Sequence, residues 1–181
     1  MGKTKGTALI ETVRALRRNR ERSLEVLPPE LHVYLDTRIL LGSWYPVAHY
    51  VGLLRGLAKV HRLAWDQIGV MGARTDLNGG VYKNLIRDRR PEEVIALIPV
   101  LWRNYHDSGR EIVTFAESRC RIELVEFPIV DAEYCKSIGG YNREVIEIGG
   151  GVVWEMRKLR CTASGDKSCL WEYDWAVRHQ K

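Results

Sequence analysis

No stretch of this chain stays apolar for the ~18–20 residues that a bilayer span requires. Its start, Met1-Gly-Lys-Thr-Lys-Gly6, has none of the apolar character of a secretory signal. Myristoylation is excluded too, because position 6 is glycine where the motif after Gly2 needs serine or threonine. Cysteine is scarce, with four residues in 181. So few thiols without a signal point to a reducing cytoplasm rather than a disulfide scaffold. No Gly-x-Ser-x-Gly elbow, phosphate loop or dinucleotide fingerprint occurs, and His32, His49, His61, His106 and His179 are scattered. Nothing pairs a nucleophile with a base, so the expectation is a non-enzymatic protein. There is no internal repeat, low-complexity tract or dividing linker, and residues 1–181 read as a single domain.

What is present suits a soluble globular chain: 45% hydrophobic and 28% charged residues. The formal net charge is +5. Much of the excess lies in Arg14, Arg17, Arg18, Arg20 and Arg22, with Lys3 and Lys5 before them. Leu9, Ile10, Val13, Leu16 and Leu24 form an apolar stripe at helical spacing, which leaves the arginines on the outer face. That face is either solvated or a docking site for a protein partner. No recognition-helix pair, zinc finger or RNA-binding signature occurs, so no specific nucleic-acid partner is expected.

The first part of the chain, 1–108, reads as mainly helical. Pro28-Pro29 breaks it, and Leu31 to Leu41 is ambiguous. Gly42-Ser43-Trp44-Tyr45-Pro46 reads as a turn into an amphipathic helix, with Ser43 as its cap. Trp65 to Met71 and Val81 to Ile86 predict shorter helices around Asn78-Gly79-Gly80, and Pro91 opens another that runs to about Tyr105. From 109 to 178 the period changes. Cys120, Ile122 and Leu124 alternate with Arg119, Arg121 and Glu123, the pattern of a strand with one wet face. Asp131 caps a helix that Gly149-Gly-Gly151 stops, and Val152 to Cys161 and Ser168 to Val177 close as a hairpin. The order strand, strand, helix, strand, strand predicts an α+β fold, with N-terminal helices packed on a C-terminal antiparallel sheet.

That hairpin carries the chain's most informative run. Cys161 and Cys169 flank the turn Ser164-Gly165-Asp166-Lys167. A hairpin centred on Gly165 sets Cys161 opposite Cys169 and Leu159 opposite Trp171, with both sulfurs on the buried face. Such a pair is half a metal site, a disulfide or two core thiols.

A cysteine, a Gly-Asp turn and a second cysteine eight residues on, followed by aromatics, resembles the 4-vinyl-reductase domain family. That family shares its fold with the ligand-binding domain of haem-based nitric-oxide sensors and with TRAPP subunits. Glu111 to Val177 carries the resemblance best, and Trp44-Tyr45-Pro46 with the following helix is similar to small bacterial proteins of the same superfamily. The resemblance implies a structural zinc on a helix cysteine, a glutamate and the two hairpin cysteines. Cys135, Cys161 and Cys169 match, but Lys158 stands at the glutamate position, and Glu155 is the nearest carboxylate on that strand. Buried structural thiols are the competing reading. Tyr105-His-Asp-Ser108-Gly-Arg110 resembles the haem-propionate clamp of the nitric-oxide sensors, with its spacing off by one residue, and a charged helix end explains it equally.

The resemblance also implies an apolar pocket between helices and sheet. Trp44, Tyr50, Trp102, Tyr105, Trp154, Trp171 and Tyr173 are the candidate lining, unless they fill the core instead. The expected function is a cytoplasmic sensory or adaptor domain of bacterial signalling that binds a small apolar molecule and forms a homodimer. Two alternatives stand beside it: a purely structural interaction module, and a reductase or tetrapyrrole-handling enzyme.

Overall fold

The computed structural model describes residues 2–79, 82–87, 89–116 and 118–177. Met1, Gly80, Val81, His179 and the predicted limit of the sheet at 178 lie outside the described residues. The chain divides into two compact units, Met1–Ala64 with Arg103–Ser108, and Trp65–Trp102 with Gly109–Lys181. The division thus falls elsewhere than at residue 108, and residues 65–102 cluster with the sheet.

In the first unit, strand β1 (Lys3–Lys5) leads into helix α1 (Gly6–Arg18) and helix α2 (Arg20–Val26). The single N-terminal helix read from the apolar stripe is broken at Asn19, whose backbone leaves the helical region (φ −121°, ψ 47°). A 3-10 turn at Pro29–Leu31 follows the proline pair, and a short helix α3 (Val33–Asp36) resolves part of the ambiguous stretch. Trp44–Pro46 is strand β2 rather than a capped turn, pairing Thr4 with Tyr45. Helix α4 (Val47–His61) begins directly after it, with Pro46 at the N-cap and no side-chain cap, so Ser43 does not serve. The β1–β2 ladder takes over the capping role: Val47 N–H donates to Gly2 O at 3.0 Å.

Leu9, Val13 and Leu16 of α1 meet Val47, Leu53 and Leu54 of α4 in a core from which water is nearly excluded. Gly6 lets the Leu40 carbonyl approach the start of α1, because a Cβ would lie 2.0 Å from it. The basic helix face is not simply solvated. Arg17 donates to Tyr34 O (2.9 Å) and Thr37 O, and Arg20 pairs with Asp36 (2.9 Å). These guanidinium groups satisfy carbonyls at the end of α3, which a short helix leaves open.

In the second unit, helix α5 (Trp65–Arg74) continues into a π-turn at Thr75–Gly79, and helix α6 spans Lys83–Ile86. The helix expected from Pro91 is two: α7 (Pro91–Ile95) and α8 (Ile98–Tyr105), the last residues of α8 clustering with the first unit. Strands β3 (Arg110–Ala116) and β4 (Arg119–Val125), helix α9 (Ala132–Ile148), and strands β5 (Gly151–Arg160) and β6 (Cys169–Val177) follow in the predicted order. They form an antiparallel sheet in the order β3-β4-β6-β5, so the fold is α+β. Asp131 caps α9 by accepting from Tyr134 N–H at 2.8 Å.

One face of the sheet, with Cys120, Ile122, Leu124, Trp171, Tyr173 and Trp175, is buried. Tyr173 Oη donates to Gly139 O of α9 at 3.1 Å. On the other face, Glu172 and Asp174 are buried beneath arginines. Arg121 reaches Glu172 at 2.6 Å, Arg119 reaches Asp174 at 2.7 Å, and Arg157 bonds both. These guanidinium groups hold both carboxylates below their ordinary pKa.

Helices α5 and α9 cross almost backbone to backbone. A Cβ at Gly69 would lie 1.8 Å from Ser137 O, and one at Gly140 2.2 Å from Asp66 O. Gly140→Ala therefore destabilises by about 1–3 kcal/mol in urea unfolding, since overpacking outweighs the ~1 kcal/mol gain in helix propensity. Gly42→Ala, with nothing within 4 Å, stays within about 0.5 kcal/mol of the parent.

Glu111 on β3 is buried, with Asn142 Nδ2 donating to it at 2.8 Å. Burial raises its pKa to about 8, only partly offset by that hydrogen bond. An ordinary glutamate in the unfolded chain ionises near 4.5. Between the two values the unfolded chain loses a proton that the folded chain keeps, so stability falls as pH rises. Glu111→Gln removes this dependence. Its advantage over the parent, measured by denaturant unfolding, is absent below about pH 4.5 and grows to a few kcal/mol by about pH 8, at ~1.4 kcal/mol per unit.

Candidate functional site: three thiols beside an apolar depression

The turn after β5 is not a symmetric hairpin. Leu159 is bulged out of the ladder, so that Lys158 opposes Trp171 and Arg160 opposes Leu170. Cys161 then lies beyond the paired residues, followed by a 3-10 turn at Thr162–Ser164 and Gly165 at φ +93°. Asp166 closes the loop by accepting from Cys161 N–H at 2.7 Å. Arg160 opposite Leu170 keeps the register that sets Cys161 towards Cys169, but the expected pairing of Leu159 with Trp171 is incorrect, because Lys158 takes that place. A bulge adds one residue to one strand and re-aims the side chains beyond it.

The sulfurs do meet. The Sγ atoms of Cys135, Cys161 and Cys169 all lie within 4.8 Å of one another, and Cys135 and Cys169 approach to 3.0 Å. Cys135 enters from the first turn of α9, Cys169 from the start of β6. Cys135 and Cys169 are buried, Cys161 half-buried, and all four cysteines of the chain are free of disulfides. Cys120, also buried, is not part of the group.

Polar groups converge on Cys169: the Thr162 N–H at 3.5 Å and the Thr162 hydroxyl at 3.4 Å. Lys158 sits beside the Cys135 and Cys169 thiols, its ammonium 4.5 Å from the Trp171 ring centroid. The hydrogen bond from Cys135, with help from Thr162 and Lys158, pulls the Cys169 thiol below its ordinary pKa against the effect of burial. The same shared hydrogen bond, together with burial, pushes Cys135 up. One sulfur of the pair is thus favoured as thiolate, the form that binds metals. Burial raises Cys120 to about 12 and leaves it inert.

Cys135 and Cys169 also line a depression of about 90 Å³ walled by Leu124, Phe127, Tyr134 and Ile138, with Glu126 and Lys167 among its lining. Glu155 takes no part. Its carboxylate pairs with Arg157, whose guanidinium lies over Glu172 and Asp174 on the opposite face of the sheet.

Of the seven candidate aromatics, Trp44, Tyr50 and Tyr105 belong to the first unit and Trp102, Trp154, Trp171 and Tyr173 to the second. Trp44 and Trp154 are exposed (42% and 58%), while Tyr50 is half-buried on α4. Trp171 and Tyr173 are fully buried against α9, where a Cβ on Gly139 would sit 2.8 Å from Trp171 Nε1. Trp102 packs edge-on to Phe127 at 5.0 Å between centroids. Tyr105 is buried in the first unit, where Thr4 Oγ1 donates to its carbonyl at 2.9 Å. Sequence reading missed Thr162 as a neighbour of the thiols, although its adjacency to Cys161 was a signal. Lys158, which the resemblance put at the fourth-ligand position, does lie beside the thiols.

The full length of the chain superposes on solved H-NOX domains. An unliganded Fe(II) H-NOX protein from K. algicida matches with a TM-score of 0.67 at 12% identity, covering 98% of this chain and 99% of that one. An H-NOX protein from S. oneidensis in the Fe(II) state gives 0.69 at 9% identity, covering 97% and 98%. An oxygen-binding H-NOX domain related to soluble guanylate cyclases gives 0.66 at 11% identity, covering 98% of each chain. The fold is that of the H-NOX domains. No family model matches the chain, and no curated protein does. The likeness is one of fold alone, and the 4-vinyl-reductase family is not shown.

A distorted haem is described for the H-NOX family, and the residues of this chain that resemble a propionate clamp fall in both units. Arg110, expected in a propionate clamp, gives its guanidinium to Glu126 at 3.3 and 3.4 Å. Among the described residues the second unit has no histidine. In the first, His49 bonds Tyr34, His32 lies 3.0 Å from Leu27 O, and His61 is exposed. His106 is buried at a bridge to Thr4, its pKa lowered to about 3 by burial.

Thiol accessibility follows directly from this geometry. In the metal-free protein under native conditions a maleimide modifies Cys161 first, and Cys120 reacts only on unfolding, as read by peptide mass spectrometry. Rapid native labelling of Cys120 would contradict the placement of β4.

Proposed function

We propose that this chain is a non-enzymatic sensory or adaptor domain with an H-NOX-type fold, whose responsive centre is the three-thiol cluster holding a metal ion such as zinc. The observation that carries the reading is the convergence of Cys135, Cys161 and Cys169 within 4.8 Å, with Thr162 and Lys158 directed at them. Three sulfurs from a helix, a turn and a strand are a soft donor set of the kind that holds zinc. Lys158 is no ligand; its ammonium offsets negative charge that the thiolates accumulate. The ligand sensed would be small, since the depression beside the cluster holds about 90 Å³. No helix among the described residues is long and apolar enough to cross a membrane. The homodimer expected from the sequence belongs to the same proposal.

Zinc analysis of protein purified without chelator tests this reading, and native mass spectrometry reads the oligomer alongside. The expected result is about one zinc per chain, lost together in the Cys135→Ser and Cys169→Ser variants. Metal content well below one per chain, unchanged on adding zinc, overturns it.

A second reading, a structural interaction module, is favoured by one observation: Trp102, Trp171 and Tyr173 are consumed in packing. A thermal-shift screen separates the two, because the module responds to no small ligand.

A further inference from the structure

Three protein sulfurs leave a tetrahedral ion one position short. Among the described residues, no histidine, aspartate or glutamate joins Cys135, Cys161 and Cys169 in that cluster. Metal sites with three protein ligands are the ones that take a fourth donor from outside. We propose that the ion bound by these cysteines keeps its fourth position open to the adjoining depression, and there takes a small thiolate or hydrosulfide donor. This rests on the metal reading above.

The placement of the sulfurs supports it. Cys135 and Cys169 both form part of the depression's wall, so an ion bound between them borders that space. Leu124, Phe127, Ile129 and Ile138 supply apolar walls that accept a soft donor and disfavour a strongly hydrated anion such as sulfate. The depression is small, about 90 Å³, which suits a compact sulfur donor such as a thiol with a two-carbon tail.

Charge points the same way. A divalent ion with three thiolates carries one net negative charge, and Lys158 stands beside two of the sulfurs to offset it. An anionic fourth donor adds a second negative charge, and Lys167 lines the depression where that donor would enter. Glu126 lies at the same rim but is ion-paired with Arg110. On binding, an incoming thiol displaces the water on the ion and gives its proton to solvent; no oxidant or reductant is involved.

The test uses the full chain loaded with cobalt(II), followed by X-ray absorption at the cobalt edge and by visible absorption. Three sulfurs are expected in the metal's shell without additive and four at saturating ethanethiol. The cobalt bands should shift saturably, with ethanethiol binding at least about tenfold tighter than glutathione. Ile138→Trp, which fills the depression, should keep the three-sulfur cobalt site and lose the response. A cobalt shell unchanged by ethanethiol overturns the proposal, as does glutathione binding as tightly as ethanethiol. If Ile138→Trp does not fold, the sulfur count of the parent chain still decides. Failure to bind cobalt or zinc at all overturns the metal reading itself, a result distinct from a loaded but unresponsive site.

Discussion

The closeness of α9 to the sheet and to α5 is the constraint on which the second unit depends. Gly139 lets the α9 backbone lie on Trp171, with Tyr173 bonded to its carbonyl, while Gly140 and Gly69 let α5 press on the other flank. Any side chain larger than hydrogen at these positions would lift the helix. Cys135, one turn before Gly139, would rise with it and lose its 3.0 Å contact with Cys169. Packing density in the middle of the helix thereby sets the geometry of sulfurs at its end.

Polar groups in this unit are handled in two ways. On the outer face, Glu172 and Asp174 remain ionised because three arginines surround them. On the inner face Glu111 has only an amide for company and is kept protonated by desolvation. The thiol cluster lies between these extremes: Lys158 and Thr162 give one sulfur enough support to ionise, whereas Cys120, one strand away, has none.

Much of the fold was legible in local patterns. Asp131 announced α9, the period-two run from Arg119 to Leu124 announced β4, and the cysteine spacing marked the closing strands. These signals depend on neighbours in sequence. The β1–β2 ladder was not legible, because three-residue strands leave no periodic trace and their partners lie some forty positions apart. Nor was the meeting of α5 and α9, since a glycine inside a helix does not say which backbone it approaches. Of the candidate site, the three cysteines do come together, and the strand departs from the expected register only below Arg160, at Leu159. A bulge is a backbone event with no residue signature at Leu159. The aromatics were less legible for a different reason: large side chains serve core and pocket alike, and composition does not separate buried Trp171 from exposed Trp154.

The two bulges of β5, at Trp154 and Leu159, have an effect beyond the cluster. This strand is an edge of the sheet, ten residues long, and it exposes Val152, Trp154, Met156 and Leu159. A straight strand of that composition would invite a neighbouring chain to add itself by hydrogen bonding, the first step toward a fibril. The breaks leave no uninterrupted run longer than Glu155 to Lys158, and that run carries a carboxylate and two cations. The irregularity that turns Lys158 toward the sulfurs thus also breaks up the edge that a fibril would extend.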